Sequence, residues 1–541
     1  MITIILEKIE AITKKFTPCF IPYPKIITMK IRLLIAIFFI SITKLFAQEP
    51  ADALRYSWLT QGGTARNQAI GGAGGSLGGE FSTMFVNPAG IGFYKTSEFV
   101  FTPDFTMQKT KSKYLGTLAS VSKNNFSVGA TGFLFSIPPV NSGSNIKNYT
   151  IALGINRAAD FNNNILYQGT NNKSSYSEKY LEELVNNNVT DPNKAATDYP
   201  FGSSLALNTY LIDTTMALDS TVSGYKSLAT VGTGLNQRHT IQSSGGITDI
   251  ALAGAINLKD KLYLGGSITV PVLNYDRTTL FRESDATTNT TNNFNFFEVN
   301  ETLKTTGFGI TGKIGLIYKP VEYVRLGLAF HSPTFYTLTD KYTAQITTDV
   351  EGYGGGDRVK TQSSGVFTND MPGQLKYTLS TPWRLIASAS YVFREIENVK
   401  KQRAFITADV EYVNYKSSSF KSFDNTDTNT KNYFTEVNSA IDNQYKSAFN
   451  FRLGGELKFN TLMFRLGGAY YGNPYKVEKG NRMKLAGGLG YRNKGIFVDL
   501  TYVYAMNKDV HYPYRLNDNF YEGALVKNNR GNIVATVGFK L

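Results

Sequence analysis

The side chains able to do chemistry in this chain of 541 residues are few and scattered. Histidine occurs three times, at His239, His331 and His511, and cysteine once, at Cys19. His331 is followed by Ser332, a pair that a hydrolase would use. Nucleophile, base and orienting group must converge, however, and no spacing here gathers the three. The histidines read as girdle or loop residues. Asp424 and Asp427, in the run FDNTDTNTKN, resemble a calcium loop, but the spacing misses the EF-hand pattern. That run reads as a solvated loop. The stretch from Gly62 to Gly92, GGTARNQAIGGAGGSLGGEFSTMFVNPAGIG, invites comparison with a phosphate cradle. Rossmann and Walker loops follow an apolar strand, open a helix and, in the Walker case, end on Lys-Ser/Thr. Gly71-Gly72-Ala73-Gly74-Gly75 has no such strand before it and no Gly-Lys-Ser/Thr after it. No catalytic residue, metal site or cofactor is expected, and the chain reads as a protein other than an enzyme.

The same glycine-rich stretch makes a different kind of sense as a guest. It holds ten glycines and closes on Asn87-Pro88-Ala89-Gly90. Glycine loses the most freedom on ordering, so the segment stays loose unless its surroundings supply contacts. A flexible linker is the plain alternative. The chain from Ser97 onward offers the surroundings, a series of alternating strands able to close into a wall. The expected fold is therefore all-β, a transmembrane antiparallel barrel with an N-terminal glycine-rich hatch inside its lumen. Residues 48–96 form the hatch and 97–541 the barrel.

Composition agrees. Phe 36, Tyr 33 and Gly 49 stand against Trp 2, and only 18 % of residues are charged. A mean hydropathy of −0.20 is too low for a helical membrane protein. Membrane barrels hide their hydrophobicity by alternation. The N-terminus carries targeting information: from Met29, MKIRLLIAIFFISITKLFAQ has two early basic residues, an apolar run and small Ala47 before Gln48. That is a secretory signal peptide over 29–47, with 1–28 an over-long start. Removing 1–47 takes Cys19 with it, leaving no thiol or disulfide. It also leaves 49 basic and 40 acidic residues, so the formal charge falls from +14 to +9. No basic stripe or recognition fold points to nucleic acid; scattered cations suit an anionic membrane surface.

The alternation is clearest at Ala448–Phe459. There Phe449, Phe451, Leu453, Leu457 and Phe459 share one face, with Asn450, Arg452, Glu456 and Lys458 on the other. Thr461–Tyr471, Ala404–Tyr412 and Gly495–Tyr504 repeat it, with aromatics at strand ends as girdles require. Sixteen segments can be counted, among them 97–107, 113–122, 126–137, 147–157 and 163–170; without the pair around 147–170 the count is fourteen. Even numbers are the rule. Short turns are expected at Lys123–Asn125, Lys259–Lys261, Lys319–Glu322, Asn460 and Asn493-Lys494. Long polar outer loops are expected at 171–238, 282–301, 339–373, 421–446 and 507–529. The longest holds a helix over Ser177–Val185 and an apolar piece, Leu205–Ile212, placed to fold over the mouth. The final strand, GNIVATVGFKL, resembles the signal read by barrel-assembly machinery, with Phe539 two residues short of the end.

The opening ADALRYS, followed by GGTARNQAIGGAGGSLGGEFSTMFVNPAGIGFYKTSEF, resembles the start of FadL/TodX-type outer-membrane transporters. Tyr318-Lys319-Pro320 through Phe330, and the hairpins from Phe451 to Leu541, agree with it. The resemblance implies fourteen strands and a hatch at 51–92, with Asn87-Pro88-Ala89 as its characteristic turn; Gly71, Gly72, Gly74 and Gly75 are hatch residues that would let such a plug change conformation at little steric cost. It implies an inward kink in a wall strand, which places the kink in 126–137 at Gly129 and Gly132. It implies passive inward passage of long-chain fatty acids or other hydrophobic molecules across the outer membrane of a Gram-negative bacterium, with exit sideways into the bilayer, by a monomer among membrane lipid and lipopolysaccharide. A porin for hydrophilic solutes predicts an open, charged constriction instead, and the glycine stretch counts against it. An adhesin or structural barrel would need only the long loops.

Overall fold

Strands β5 (Leu262–Asp285) and β6 (Phe296–Val321) contain the logic of the architecture. The outward positions Leu264, Ile268, Val270 and Val272 of β5, and Phe308, Ile310, Ile314 and Leu316 of β6, form an apolar belt. Beyond it the outward face turns polar, with Asn274, Asp276 and Thr278 beside Asn300, Thr302 and Lys304. At that level the inward face becomes apolar, through Leu273, Tyr275, Phe281, Phe297, Val299 and Leu303. The strands thus carry a lipid-facing sequence over roughly ten residues, the length a bilayer requires. Above that they have the inside-out pattern of a water-soluble sandwich.

The computed structural model describes residues 50–60, 62–139, 144–218, 221–394, 403–424, 427–477, 480–517 and 519–541. The expected signal peptide and the stretch before it lie outside the described residues. Fourteen antiparallel strands close on themselves. β1 comprises Glu98–Phe101 and Pro103–Tyr114, and β2 Thr117–Val128 and Thr131–Ile137. β3 comprises Ile146–Asp160 and Asn163–Asn171, and β4 is Leu235–Leu258. After β5 and β6, β7 comprises Val324–His331 and Phe335–Asp349, and β8 Gly373–Ser380 and Arg384–Phe393. β9 to β14 are Ala404–Asn414, Ser447–Phe459, Leu462–Tyr471, Asn481–Asn493, Ile496–His511 and Ala524–Lys540. β14 pairs with β1 through Phe99↔Phe539 and Thr106↔Asn532, which shuts the barrel. Hairpin turns lie at 259–261, 322–323, 460–461 and 494–495 on one rim. The long connections 172–234, 286–295, 350–372, 415–446 and 512–523 lie on the other, as in outer-membrane barrels.

Several expectations need correction. Sixteen segments reduce to fourteen strands because 97–107, 113–122 and 126–137 make only two, and 147–157 with 163–170 makes one bent strand. Lys123–Asn125 is not a turn but strand, paired with Thr106, Met107 and Gln108. The chain reverses earlier at Leu115 (φ 46) and Gly116 (φ 84), two left-handed residues whose twist matches a tight hairpin. About half of each of the loops expected at 282–301 and 339–373 is strand, because the apolar face changes sides there and the outward alternation disappears. The FDNTDTNTKN run is not simply a loop. Asp427 accepts from the Asn429 amide and starts a 17-residue helix, Thr428–Gln444. Phe434, Val437 and Ile441 lie on one face of it and are buried in the lumen. The helix in the longest connection runs over Glu178–Asn186, and a second, Ser203–Asn208, leads into Leu211 and Ile212. Both pack on Phe281, Phe297 and Ile346 over the mouth.

Candidate functional site

The N-terminal segment lies among the inward side chains of the belt as a chain of short turns. They are α1 (Pro50–Arg55), α2 (Ala65–Ala69), α3 (Thr83–Val86) and a 3-10 turn, Pro88–Phe93. A segment expected to make no good helix makes these single turns because caps supply what length does not. Thr64 accepts from the Asn67 amide at 3.3 Å. Asn87 accepts from the Ala89 amide at 3.1 Å, with Pro88 next to it where a helix has no use for its missing N–H. Asn87 also donates to the carbonyls of Gly75 (2.6 Å) and of Leu316 on β6 (3.1 Å), so one amide side chain starts a turn, ties two parts of the hatch and docks them on the wall.

Many hatch carbonyls are bonded within its own turns, among them those of Thr64, Asn67, Gln68 and Thr83, and the buried ones left over must pair elsewhere. The wall supplies the donors. Lys313 Nζ reaches the Phe85 carbonyl at 3.2 Å and His331 Nε2 meets that of Val86 at 2.7 Å. Asn148 Nδ2 donates to the carbonyls of Gly92 (3.2 Å) and Tyr94 (2.8 Å), and Thr407 Oγ1 to that of Ala73 (3.0 Å). Arg325, Arg384 and Arg482 bond to the carbonyls of Leu77, Ser57 and Trp58. In the other direction the Gly75 amide donates to Asp409 Oδ2 at 3.1 Å. Hatch Arg66 binds Glu456 Oε2 at 3.2 Å, and β11 Arg465 holds the same carboxylate at 2.6 Å and Asp499 at 2.6 Å. Glu80, bonded by the Thr64 hydroxyl, is pushed above the usual carboxylate range by burial.

Glycines on the wall make the close fit feasible. A Cβ on Gly454 would lie 2.6 Å from Ile70 Cβ, one on Gly467 2.6 Å from Ile70 Cα, and one on Gly488 2.8 Å from Ala69 Cβ. On the opposite side, Gly265 faces Ala89 N (2.5 Å) and Gly315 faces Asn87 Cγ (2.8 Å) in the same sense. A side chain at any of these positions would enter hatch backbone or its capping residue.

Among the described residues, the wall is interrupted beside the hatch. Above Gly129-Ala130 the upper half of β2 pairs with β1 alone, while the upper half of β3 pairs with β4; only the lower halves of β2 and β3 share a ladder. The inward side chains of β1 reach across instead, Thr110 Oγ1 to Asn163 Oδ1 at 3.1 Å. A Cβ on Gly129 would come within 3.3 Å of the Gly63 carbonyl, and one on Gly132 within 2.8 Å of the Phe81 ring. Above the hatch the lumen is filled by a cluster that joins Tyr56 and Trp58 to Tyr275, Tyr336, Tyr377, Phe420 and Phe434.

The expected site residues therefore fall into two groups. Asn87, Pro88, Ala89 and Gly90 meet one another and dock on β5 and β6. Gly71 packs on Gly468, and Gly75 meets Ser388 and Asp409, with Gly72 and Gly74 between them. Gly129 and Gly132 lie at the interrupted wall, where their hatch neighbours are Gly63 and Phe81 rather than Asn87-Pro88. The expectation of girdle or loop positions does not hold for His239 and His331, which are buried in the lumen. His239 Nδ1 bonds the Tyr167 hydroxyl at 2.7 Å, and His331 holds the hatch. The wall glycines carried a signal, the Gly-Gly doublets at 454–455, 467–468 and 487–488 in three successive strands.

A closed barrel with an apolar outer belt and a plug seated in its lumen defines a plugged membrane channel. Residues 238–532, more than half of the chain, match the family model of outer membrane protein transport proteins (OMPP1/FadL/TodX), and the chain belongs to that family. The family consists of transport channels, not enzymes, and locates the protein in the outer membrane. Among solved structures, a Pseudomonas aeruginosa FadL homologue is 13% identical with a TM-score of 0.50, over 89% of this chain and 99% of that one. The Pseudomonas putida toluene transporter TodX is 12% identical (TM-score 0.48, over 89% and 99% of the two chains). The Ralstonia pickettii toluene transporter TbuX is 15% identical (TM-score 0.46, over 89% and 98%). Comparison with curated protein sequences gives no match.

Proposed function

We propose that the protein admits hydrophobic molecules such as long-chain fatty acids passively, with the hatch as its gate and the interrupted wall at Gly129-Ala130 as its lateral exit. The missing ladder between the upper halves of β2 and β3 carries this reading, because a membrane barrel otherwise pairs every strand with both neighbours. Gly63 and Phe81 stand against that gap, so a shift of the hatch changes what blocks it. An apolar solute leaving sideways into the bilayer avoids water throughout. Aromatic side chains above the hatch suit such a solute and exclude a hydrated sugar. In this reading the protein acts as a monomer among lipid and lipopolysaccharide, and β14 is the strand that assembly machinery recognises. TodX and TbuX are named toluene transporters, so small aromatic hydrocarbons enter the substrate panel as well.

Proteoliposomes holding the refolded protein test it. A fluorescent long-chain fatty acid should enter, a small sugar should not, and Asn87→Ala with Pro88→Gly should change the fatty-acid rate. Sugar flux without fatty-acid preference would make the protein a porin. Flux of neither would favour an adhesin or structural barrel.

A further inference from the structure

The outer surface of the barrel has a hollow that the hatch does not explain. It lies across β9 to β13, has a volume of about 1130 Å³, and is walled by Ile406, Leu457, Phe464, Leu466, Leu489 and Leu500. Small-molecule sites occupy roughly 300–1,000 Å³, so the hollow is large for a surface dent. Each of these side chains is on the lipid-facing side and more than a third exposed. Gly455 and Gly487, the outward members of two doublets, form part of it. Their inward neighbours Gly454 and Gly488 are required by the hatch, as described above. Gly487 is not: a Cβ there would sit 3.5 Å from Leu466 Cδ2 and 3.8 Å from the Arg465 carbonyl, ordinary contacts. Packing would accept a side chain, and its absence keeps the hollow open.

Depth and charge identify an occupant. Leu489 and Leu500 are each five residues from the 494–495 turn on the short-turn rim. Five strand residues span roughly 17 Å, less when tilted, and the hydrocarbon of one leaflet is roughly 15 Å deep. The hollow is thus within reach of an acyl chain whose headgroup rests on that rim. Exposed Arg403 and Lys494 are located there. These cations complement a phosphate.

We infer that this hollow is a binding site for the acyl chain of a glycerophospholipid from the periplasmic leaflet, with Lys494 and Arg403 at its phosphate. The site is distinct from the luminal path, so its failure would leave the transport reading standing.

Native mass spectrometry of the detergent-purified full-length barrel tests it, with phosphatidylethanolamine and phosphatidylglycerol added back as probes. The wild type should retain one phospholipid through washing that strips Gly487→Leu, with occupancy at least about tenfold lower in the variant. Lys494→Gln with Arg403→Gln, which leaves the hollow intact, should lower retention as well; it remains decisive if Gly487→Leu does not fold. Retention of lipid A instead would overturn the proposal, as would equal phospholipid retention in all folded variants. So would loss of a second copy of the chain, rather than of a lipid, from Gly487→Leu.

Discussion

Below the level of Trp58 the wall presents Arg, Lys, Asp, Glu, Ser, Thr and Gly between small apolar clusters around Phe81, Phe85 and Ile91, and it holds the hatch in large part by its backbone. Above it the lumen is lined by Tyr, Phe, Leu and Ile, and the wall holds the 428–444 helix by its side chains. Both regions are buried, yet different interactions hold them. In the lower one, fit is set by missing Cβ atoms and by donors matched to single carbonyls; such contacts break one by one and rehydrate readily. In the upper one, fit is set by apolar area, which is non-directional and tolerates repacking. The contrast places a hatch held by specific, directional contacts beneath an aromatic cluster held by permissive packing.

The largest expected effect is in the upper region. Phe434→Ala should destabilise the docked helix by about 3–5 kcal/mol, read as faster amide exchange over 428–444 with exchange in the hatch unchanged. Phe434→Leu should recover most of that loss, since volume-conserving apolar swaps cost less. The lower region should respond in the opposite manner, to a single methyl group. Gly467→Ala, with Ile70 backbone in the way, should cost about 1–3 kcal/mol and expose Ile70-Gly71 to protease, while the barrel keeps its heat-modifiable migration. If Gly467→Ala is silent and Phe434→Leu is severe, the contrast is wrong. Asn148→Ala should loosen the hatch by about 1 kcal/mol per bond lost, visible as faster exchange near Gly92 and Tyr94.

The smallest effect concerns Glu80. Its carboxyl is raised by burial, so the seated hatch binds the proton more tightly than the released one. That contribution is complete below the carboxylate's ordinary range and is lost as pH rises through the seated-state value. Hatch protection should therefore fall from acid to neutral pH in the wild type. Glu80→Gln, which still accepts from Thr64, should flatten the profile. An unchanged profile would remove Glu80 from the account.

How legible each part was follows from how local its cause is. The 447–459 and 462–471 strands were plain in the sequence because lipid on one side and polar lumen on the other produce alternation within ten residues. Asn87-Pro88 was plain because capping needs only its own turn. β5 to β7 were cut short because the apolar face changes sides at Asn274 and Lys304, which erases the outward pattern although the strand continues. The 428–444 helix was hidden by its polar composition, although Phe434, Val437 and Ile441 had helical spacing. His331 and wall glycines Gly454, Gly467 and Gly488 act on partners more than two hundred residues away, a relation no spacing expresses.

Thr536, on the last strand, has a bearing on how the molecule is made. Its hydroxyl accepts from the Ala65 amide in the hatch at 2.8 Å and shares a 2.9 Å hydrogen bond with Thr102 on the first strand. One side chain thus belongs both to the seam that shuts the barrel and to the seat of the hatch, 471 positions from its partner. The hatch is synthesised first but has no complete place to dock until the seam is formed. Its scarcity of apolar runs lets it wait without aggregating. Sealing the barrel and completing the seat of the hatch are, on this geometry, one event.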